Sequence, residues 1–192
     1  MILLDDVQSN AANPSSRLYF NPCEYWVAST AEEINSCFAG IEHALKAGRY
    51  IVCLVAYEYG QRIHKISSKP KTTEPLIQAW AFDAVRKLSK AEVDVWLQNC
   101  IKNMDAAEQV AGVAGLRESI SEVQFQADIE RIQEWIRNGD TYQINHTYRI
   151  HGQAYGNPLA LYARLRIRQP GRYGAFIHEG EKRSSRNPPN YL

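Results

Sequence analysis

Cysteine is scarce: four occur in 192 residues (Cys23, Cys37, Cys53 and Cys100), with no C-x-x-C pair and no histidine at metal-ligand spacing. That excludes a zinc-finger or disulfide framework and fits reduced thiols, with Cys37 and Cys53 packed inside apolar patterns. No run approaches the ~20 apolar residues that a membrane span requires. The opening MILLDDVQ carries acids where a secretory leader would carry Lys or Arg, so a cytoplasmic location is expected. Neither charge prevails. Lys plus Arg number 22 against 21 Asp plus Glu, a formal net charge of +1, which leaves no basic surplus for nucleic acid or an anionic membrane. Also missing are a Walker loop, G-x-G-x-x-G, G-x-S-x-G and H-E-x-x-H, so self-contained nucleotide, serine-hydrolase or zinc-protease chemistry is not indicated. Internal repeats and low-complexity tracts are absent too.

What is present is core material: 45% hydrophobic and 10% aromatic residues against 22% charged. Strands are expected at Met1–Leu4 and around Arg17–Phe20, separated by a polar loop. Thr30 and Glu33 form a capping box for a helix whose stripe is Ile34, Phe38, Ile41 and Leu45, and Gly48 stops it. Tyr50–Tyr57 reads as a strand buried on both faces, His64–Glu74 as a basic loop, and Leu76–Phe82 as another strand. Ser89 and Glu92 cap a second helix carrying Val93, Trp96, Leu97, Cys100 and Ile101. The small residues of Ala106–Gly115 look like a linker.

Beyond it, Ser121 and Gln124 open a helix expected to bury Phe125, Ile129, Ile132 and Ile136 and to end at Asn138-Gly139. Thr141–Ile150 alternates like a strand. Asn157-Pro158 starts a short helix through Leu165, Tyr173–His178 reads as a strand, and Glu179–Lys182 as a hairpin turn. Strands and helices mix without a regular βαβ rhythm, so the class expected is α+β. The organisation expected is an N-terminal module over 1–105, a linker over 106–118, a second module beginning at 119 and running to 182, and an aberrant tail over 183–192.

Chemistry concentrates in one stretch, residues 139–147 (GDTYQINHT). Tyr142, Gln143, Asn145 and Thr147 are neutral hydrogen-bonding side chains, of the kind that orient a polar ligand. An amphipathic edge strand with a polar outer face accounts for the same spacing. His146 and His151 bracket the expected strand and would point to opposite faces, a poor pair of metal ligands.

Residues 132–145 (IQEWIRNGDTYQIN) resemble the G-D-x-Y-Q-x-N opening of the chorismate-utilising domain in the anthranilate synthase and aminodeoxychorismate synthase component I family. Further resemblances lie in order along the chain at Leu3–Asp6, Ser16–Tyr19, Ala56–Gly60, Leu161–Arg166, Gln169-Pro170 and Tyr173–Phe176. The Tyr-Gln-x-Asn form is similar to the aminodeoxychorismate, or para-aminobenzoate, branch. The resemblance implies the N-terminal part of the two-sheet, helix-flanked anthranilate synthase component I fold. It implies amination of chorismate to 4-amino-4-deoxychorismate for folate biosynthesis, with ammonia from a glutamine amidotransferase partner and Mg²⁺ on the substrate carboxylate. It also implies a pocket between two sheets lined by segments resembling Asp6, Ser16-Arg17 and Tyr173-Gly174, where relatives hold tryptophan. Asp6 stands where many relatives have Ser and Arg172 where Pro is common; an acid and a guanidinium can hold an amino acid or each other. The alternatives are anthranilate or salicylate synthesis, or a non-catalytic module binding a tryptophan-like ligand or the glutaminase.

The family's metal-binding glutamates, catalytic lysine and substrate loop belong downstream of position 192, so no catalytic or metal-ligating residue is assigned within this chain. The expectation is a C-terminally truncated member, inactive alone. Asn187–Leu192 can be encoded AAT CCC CCG AAC TAT TTG, and the same string read two bases later gives Ser-Pro-Glu-Leu-Phe, the family's continuation there. A frameshift is therefore the leading account of the tail.

Overall fold

A computed structural model describes residues 1–64 and 74–178 of the chain. Along it run β1 (Ile2–Asp5), β2 (Ser16–Tyr19), β3 (Glu24–Ala28), α1 (Ala31–Lys46), β4 (Tyr50–Val55), α2 (Tyr57–Ile63), β5 (Ile77–Phe82), β6 (Arg86–Leu88) and α3 (Lys90–Lys102). After these come α4 (Ala106–Gln109), β7 (Gly112–Glu118), α5 (Glu122–Asn138), β8 (Ile150–Tyr155), α6 (Pro158–Arg168) and β9 (Gly174–Ile177). Helix and sheet are mixed without parallel crossovers in the described sheets, as an α+β class requires. No described helix is long and apolar enough to cross a membrane. Two compact units result, Met1–Trp96 with Gln169–Leu192, and Leu97–Arg168.

The first unit is organised by β5. Every residue of IQAWAF is buried, and the strand is flanked on both sides by antiparallel partners in the order β3-β5-β4. Alternation assigns its side chains to two faces. Ile77 and Ala79 join Ala28, Cys37 and Ile41 beneath α1, while Trp80 and Phe82 join Ile2, Tyr19 and Val52 on the opposite face. The second face meets an antiparallel sheet of order β6-β2-β1-β9, with Tyr19 against Phe82 at 5.0 Å between ring centroids. Gln78 is the polar exception within β5, and the Tyr25 hydroxyl donates to its Oε1 at 2.9 Å, so its burial is compensated.

Caps settle the helix ends. Glu33 accepts from the backbone N–H groups of Ser29 and Thr30, Glu92 accepts from Ser89, Ser121 Oγ accepts from the Gln124 N–H, and Asn157 Oδ1 accepts from the Leu159 N–H. Gly139 ends α5 at φ +79°, with its own N–H and that of Asp140 returning to the carbonyls of Ile136 and Trp135.

Several expectations are corrected. The strand expected to be buried on both faces at Tyr50–Tyr57 is β4, an edge strand in which Val52 alone is fully buried; it gives way to α2 at Tyr57. The residues read as a linker hold α4 and then β7, which pairs antiparallel with β8. Residues 141–149 form an irregular coil rather than a strand, and the strand begins only at Ile150. The expected core stripe of α5 is partly exposed: Phe125 and Ile136 lie 38% and 42% open, while Ile129 and Ile132 are half-buried. Most of the basic loop (65–73), the Glu179–Lys182 turn and the 183–192 tail lie outside the described residues.

On the helix-facing side of the β3-β5-β4 sheet, Ala28, Ile77 and Ala79 pack with Cys37 and Ile41 of α1, and Trp26 packs against them. A Cβ at Gly40 would fall on the indole of Trp26 in β3, meeting its Nε1, Cδ1 and Cε2 atoms. Helix propensity favours Ala over Gly by about 1 kcal/mol, whereas overpacking a core contact costs about 1–3 kcal/mol. The clash should win. Gly40→Ala is expected to destabilise the chain by roughly 1 kcal/mol, read as a lowered urea midpoint with unchanged slope.

Candidate functional site

The residues singled out from sequence fall into two groups, one in each unit. In the first unit β1 and β2 pair antiparallel with Leu4 opposite Arg17, and β9 lies on the other side of β1 with Asp5 opposite Gly174. The chain turns away at Asp6, and that turn is held by side chains. Asp6 Oδ1 accepts from the Gln8 N–H at 2.9 Å, Oδ2 accepts from the Ser15 hydroxyl at 2.8 Å, and the Asp6 N–H donates to Ser16 Oγ at 3.0 Å. The Arg172 guanidinium stands 3.9 Å from Asp6 Oδ1 and 5.9 Å from the centre of the Tyr173 ring. Asp6 and Arg172 therefore face each other.

These contacts separate the group. Ser16 is fully buried and its hydroxyl is occupied by Asp5 and Asp6, whereas Arg17, the next residue in the strand, is exposed and projects from the other face of the sheet. Tyr173 is 92% exposed and Gly174 half-buried. Asp6, Ser16 and Gly174 thus come together at one sheet end with Arg172, a residue noted from sequence for its departure from relatives. Arg17 does not join them. A cavity of about 260 Å³ does exist in this unit, lined by Met1, Cys23, Tyr25, Trp80, Phe82 and His178 among others, and none of the sequence-selected residues borders it. It lies toward the first residue of β1, whereas Asp6 follows the last.

In the second unit the helix stop at Gly139 delivers the chain into the 140–149 coil. Tyr142 is 92% exposed, and Gln143 and Asn145 are exposed beside it. The Gln143 Nε2 donates to Asn145 Oδ1 at 3.3 Å and the Thr141 hydroxyl donates to the Gln143 carbonyl at 3.1 Å. Gln143 Oε1 and the Asn145 amide nitrogen, one acceptor and one donor group without a fixed charge, take no part in that bond. His146 turns inward instead: its Nε2 lies 3.1 Å from Asp128 Oδ2 on α5, and the Phe125 ring meets the imidazole edge-on at 5.4 Å. Hydrogen bonds from Gln124 and then from His146 pull the Asp128 carboxyl below its ordinary value. Sequence spacing did not reveal this pair, because the two residues are far apart along the chain and an unexpected coil brings them together. His151, read from sequence as a poor ligand partner for His146, is exposed. Among the described residues no three His, Cys, Asp or Glu side chains converge to hold a metal ion.

The Asp6 turn makes a direct prediction. The Gln8 N–H, then the Ser15 hydroxyl, and the Arg172 charge further off hold the Asp6 carboxyl below its ordinary value of 3.8. A depressed folded pKa contributes stability above the unfolded value, and that contribution is lost as pH falls through the folded one. The wild-type urea midpoint should therefore drop more steeply below pH 3.8 than that of Asp6→Asn, while the variant is already the weaker of the two at neutral pH.

Comparison with known families agrees with the coil's motif. The model of the chorismate binding enzyme family matches residues 7–185, which takes in the 140–149 coil and, of the first group, every residue but Asp6. No curated protein matches the chain. With the match extending over nearly the whole sequence, the chain belongs to the chorismate binding enzyme family.

Proposed function

We propose that this chain is part of an aminodeoxychorismate synthase component I, and that the coil after α5 is where it meets chorismate. Family membership supports chorismate as the ligand. The Tyr142-Gln143-Ile144-Asn145 sequence favours the para-aminobenzoate branch, in which ammonia from a glutamine amidotransferase displaces the ring hydroxyl as water. The observation that carries the reading is the exposed Gln143–Asn145 amide pair, held side by side immediately beyond a capped helix end. Neutral amides suit a polyoxygenated ring acid: they orient its carboxylate and hydroxyl groups through hydrogen bonds that a solvated surface would otherwise satisfy.

The Mg²⁺ expected from the family does not fit the described residues, since no cluster of ligating side chains is present among them. What these residues contribute is recognition and orientation. The proton transfers and ammonia attack of the proposed reaction are assigned to none of them. Chorismate titrated calorimetrically into the full chain should bind, and Gln143→Ala or Asn145→Ala should each weaken binding by about tenfold, the cost of one ligand hydrogen bond. With ammonium supplied, the chain alone should give no aminated product. Absence of chorismate binding, or turnover by the 192-residue chain, would overturn the proposal.

A second reading is favoured by the facing pair Asp6 and Arg172: an amino acid of the tryptophan type, its ammonium on the acid and its carboxylate on the guanidinium. Heat on titrating tryptophan, lost in Asp6→Asn, supports it.

A further inference from the structure

The coil that carries Gln143 and Asn145 has little to hold it. It lies outside the sheet ladders, and its two internal side-chain bonds, from Thr141 and from Gln143, begin and end within it. At its far end Ser119 and Arg149 exchange bonds, the Ser119 N–H to the Arg149 carbonyl at 2.8 Å and the Arg149 N–H to Ser119 Oγ at 2.9 Å. At its near end the Gly139 cap returns to α5. Between these anchors the described polar side-chain tie to the helix is His146 with Asp128.

That tie is built as a clasp. A carboxylate only accepts hydrogen bonds, so the imidazole Nε2 must carry the hydrogen that lies toward Asp128 Oδ2. Asp128 is itself fixed: its Oδ1 accepts from Gln124 Nε2 at 2.8 Å, one turn earlier on α5. The imidazole is held on its other side by Phe125, which also meets Tyr148 edge-on at 5.9 Å, so the aromatic contact brackets the coil residues 146 and 148. His146 Nδ1 is buried and finds no hydrogen-bond partner among the described residues, so the ring's single polar attachment is Asp128. Removing that carboxylate would leave neither ring nitrogen with a protein partner, Nδ1 being buried, and would free the coil to move away from α5.

We propose that Asp128 and His146 are positioning residues: their pairing pins the coil to α5 and so fixes where Gln143 and Asn145 meet chorismate. The ligand half of this inference rests on the proposed function above, whereas the pinning half rests on geometry alone.

Hydrogen exchange of the 141–147 amides in the full chain, measured beside chorismate titration, tests the two halves separately. Asp128→Ala should speed exchange across 141–147 by about tenfold or more, as loss of a charge-assisted bond predicts, while α6 amides stay unchanged. It should weaken chorismate binding by a similar factor. His146→Gln, whose amide can still donate to Asp128, should recover most of both effects, and so should Asp128→Asn, whose carbonyl can still accept. Gln143→Ala should weaken chorismate binding without altering exchange. If exchange in 141–147 is the same in Asp128→Ala as in wild type, the clasp is wrong. If exchange rises but chorismate binding holds, the pair pins the coil without positioning the ligand, and the positioning role is lost. If Gln143→Ala binds chorismate as well as wild type does, or wild type binds none, the site reading fails and the clasp is judged by exchange alone.

Discussion

The first unit depends on a single strand having two faces of different size. β5 offers Ala79 and Ala81 in alternation with Trp80 and Phe82, and it is buried from end to end. The small side allows α1 to approach within reach of Trp26, and the large side fills the space toward the β6-β2-β1-β9 sheet. Were the register of β5 shifted by one residue, both fits would fail together, because period-two alternation would exchange the faces. Five antiparallel partners with β3 and six with β4 hold that register.

The second unit works differently. Its two-stranded ribbon and α5 leave many side chains open, and their ends are fixed by a Ser cap, a left-handed glycine, a strand-end exchange between Ser119 and Arg149, and the carboxylate–imidazole pair. A surface that recognises a polar ligand benefits from this arrangement. Exposed amides keep their hydrogen-bonding capacity, and the restraints sit behind them where they do not compete for the ligand. In the first unit the balance is reversed. Asp6 and Ser16 spend their polar groups on the turn itself, and Arg172 already faces Asp6, so a ligand there would have to displace existing partners.

Legibility followed locality. Thr30 with Glu33, Ser89 with Glu92, Ser121, Asn157 and Gly139 were readable because a cap is decided within four residues of chain. β3 was missed because Glu24–Ala28 (EYWVA) gains its strand character from pairing with β5, some fifty residues on, and β6 is a short polar piece paired only with β2. The apolar run at Tyr50 reads as doubly covered, yet its place at a sheet edge is a matter of topology that composition does not encode. Alternation misled at Thr141–Ile150, where Tyr142 through Asn145 are all exposed and His146 turns in to Asp128, and no ladder partner among the described residues holds residues 141–149 in a strand. The motif that marks the family was legible; the Asp128 partner that holds it was not, since nothing in the spacing of the two residues signals contact.

The pairing of β1 with both β2 and β9 has a consequence for biosynthesis. Ile2 stands opposite Ile177, and the amide of His178 bonds the carbonyl of Met1. β1 therefore waits, through synthesis of the intervening unit, for its β9 neighbour. Until then its hairpin with β2 presents a bare apolar edge on the ribosome. Closing that sheet is a long-range event with a correspondingly slow, entropy-limited search.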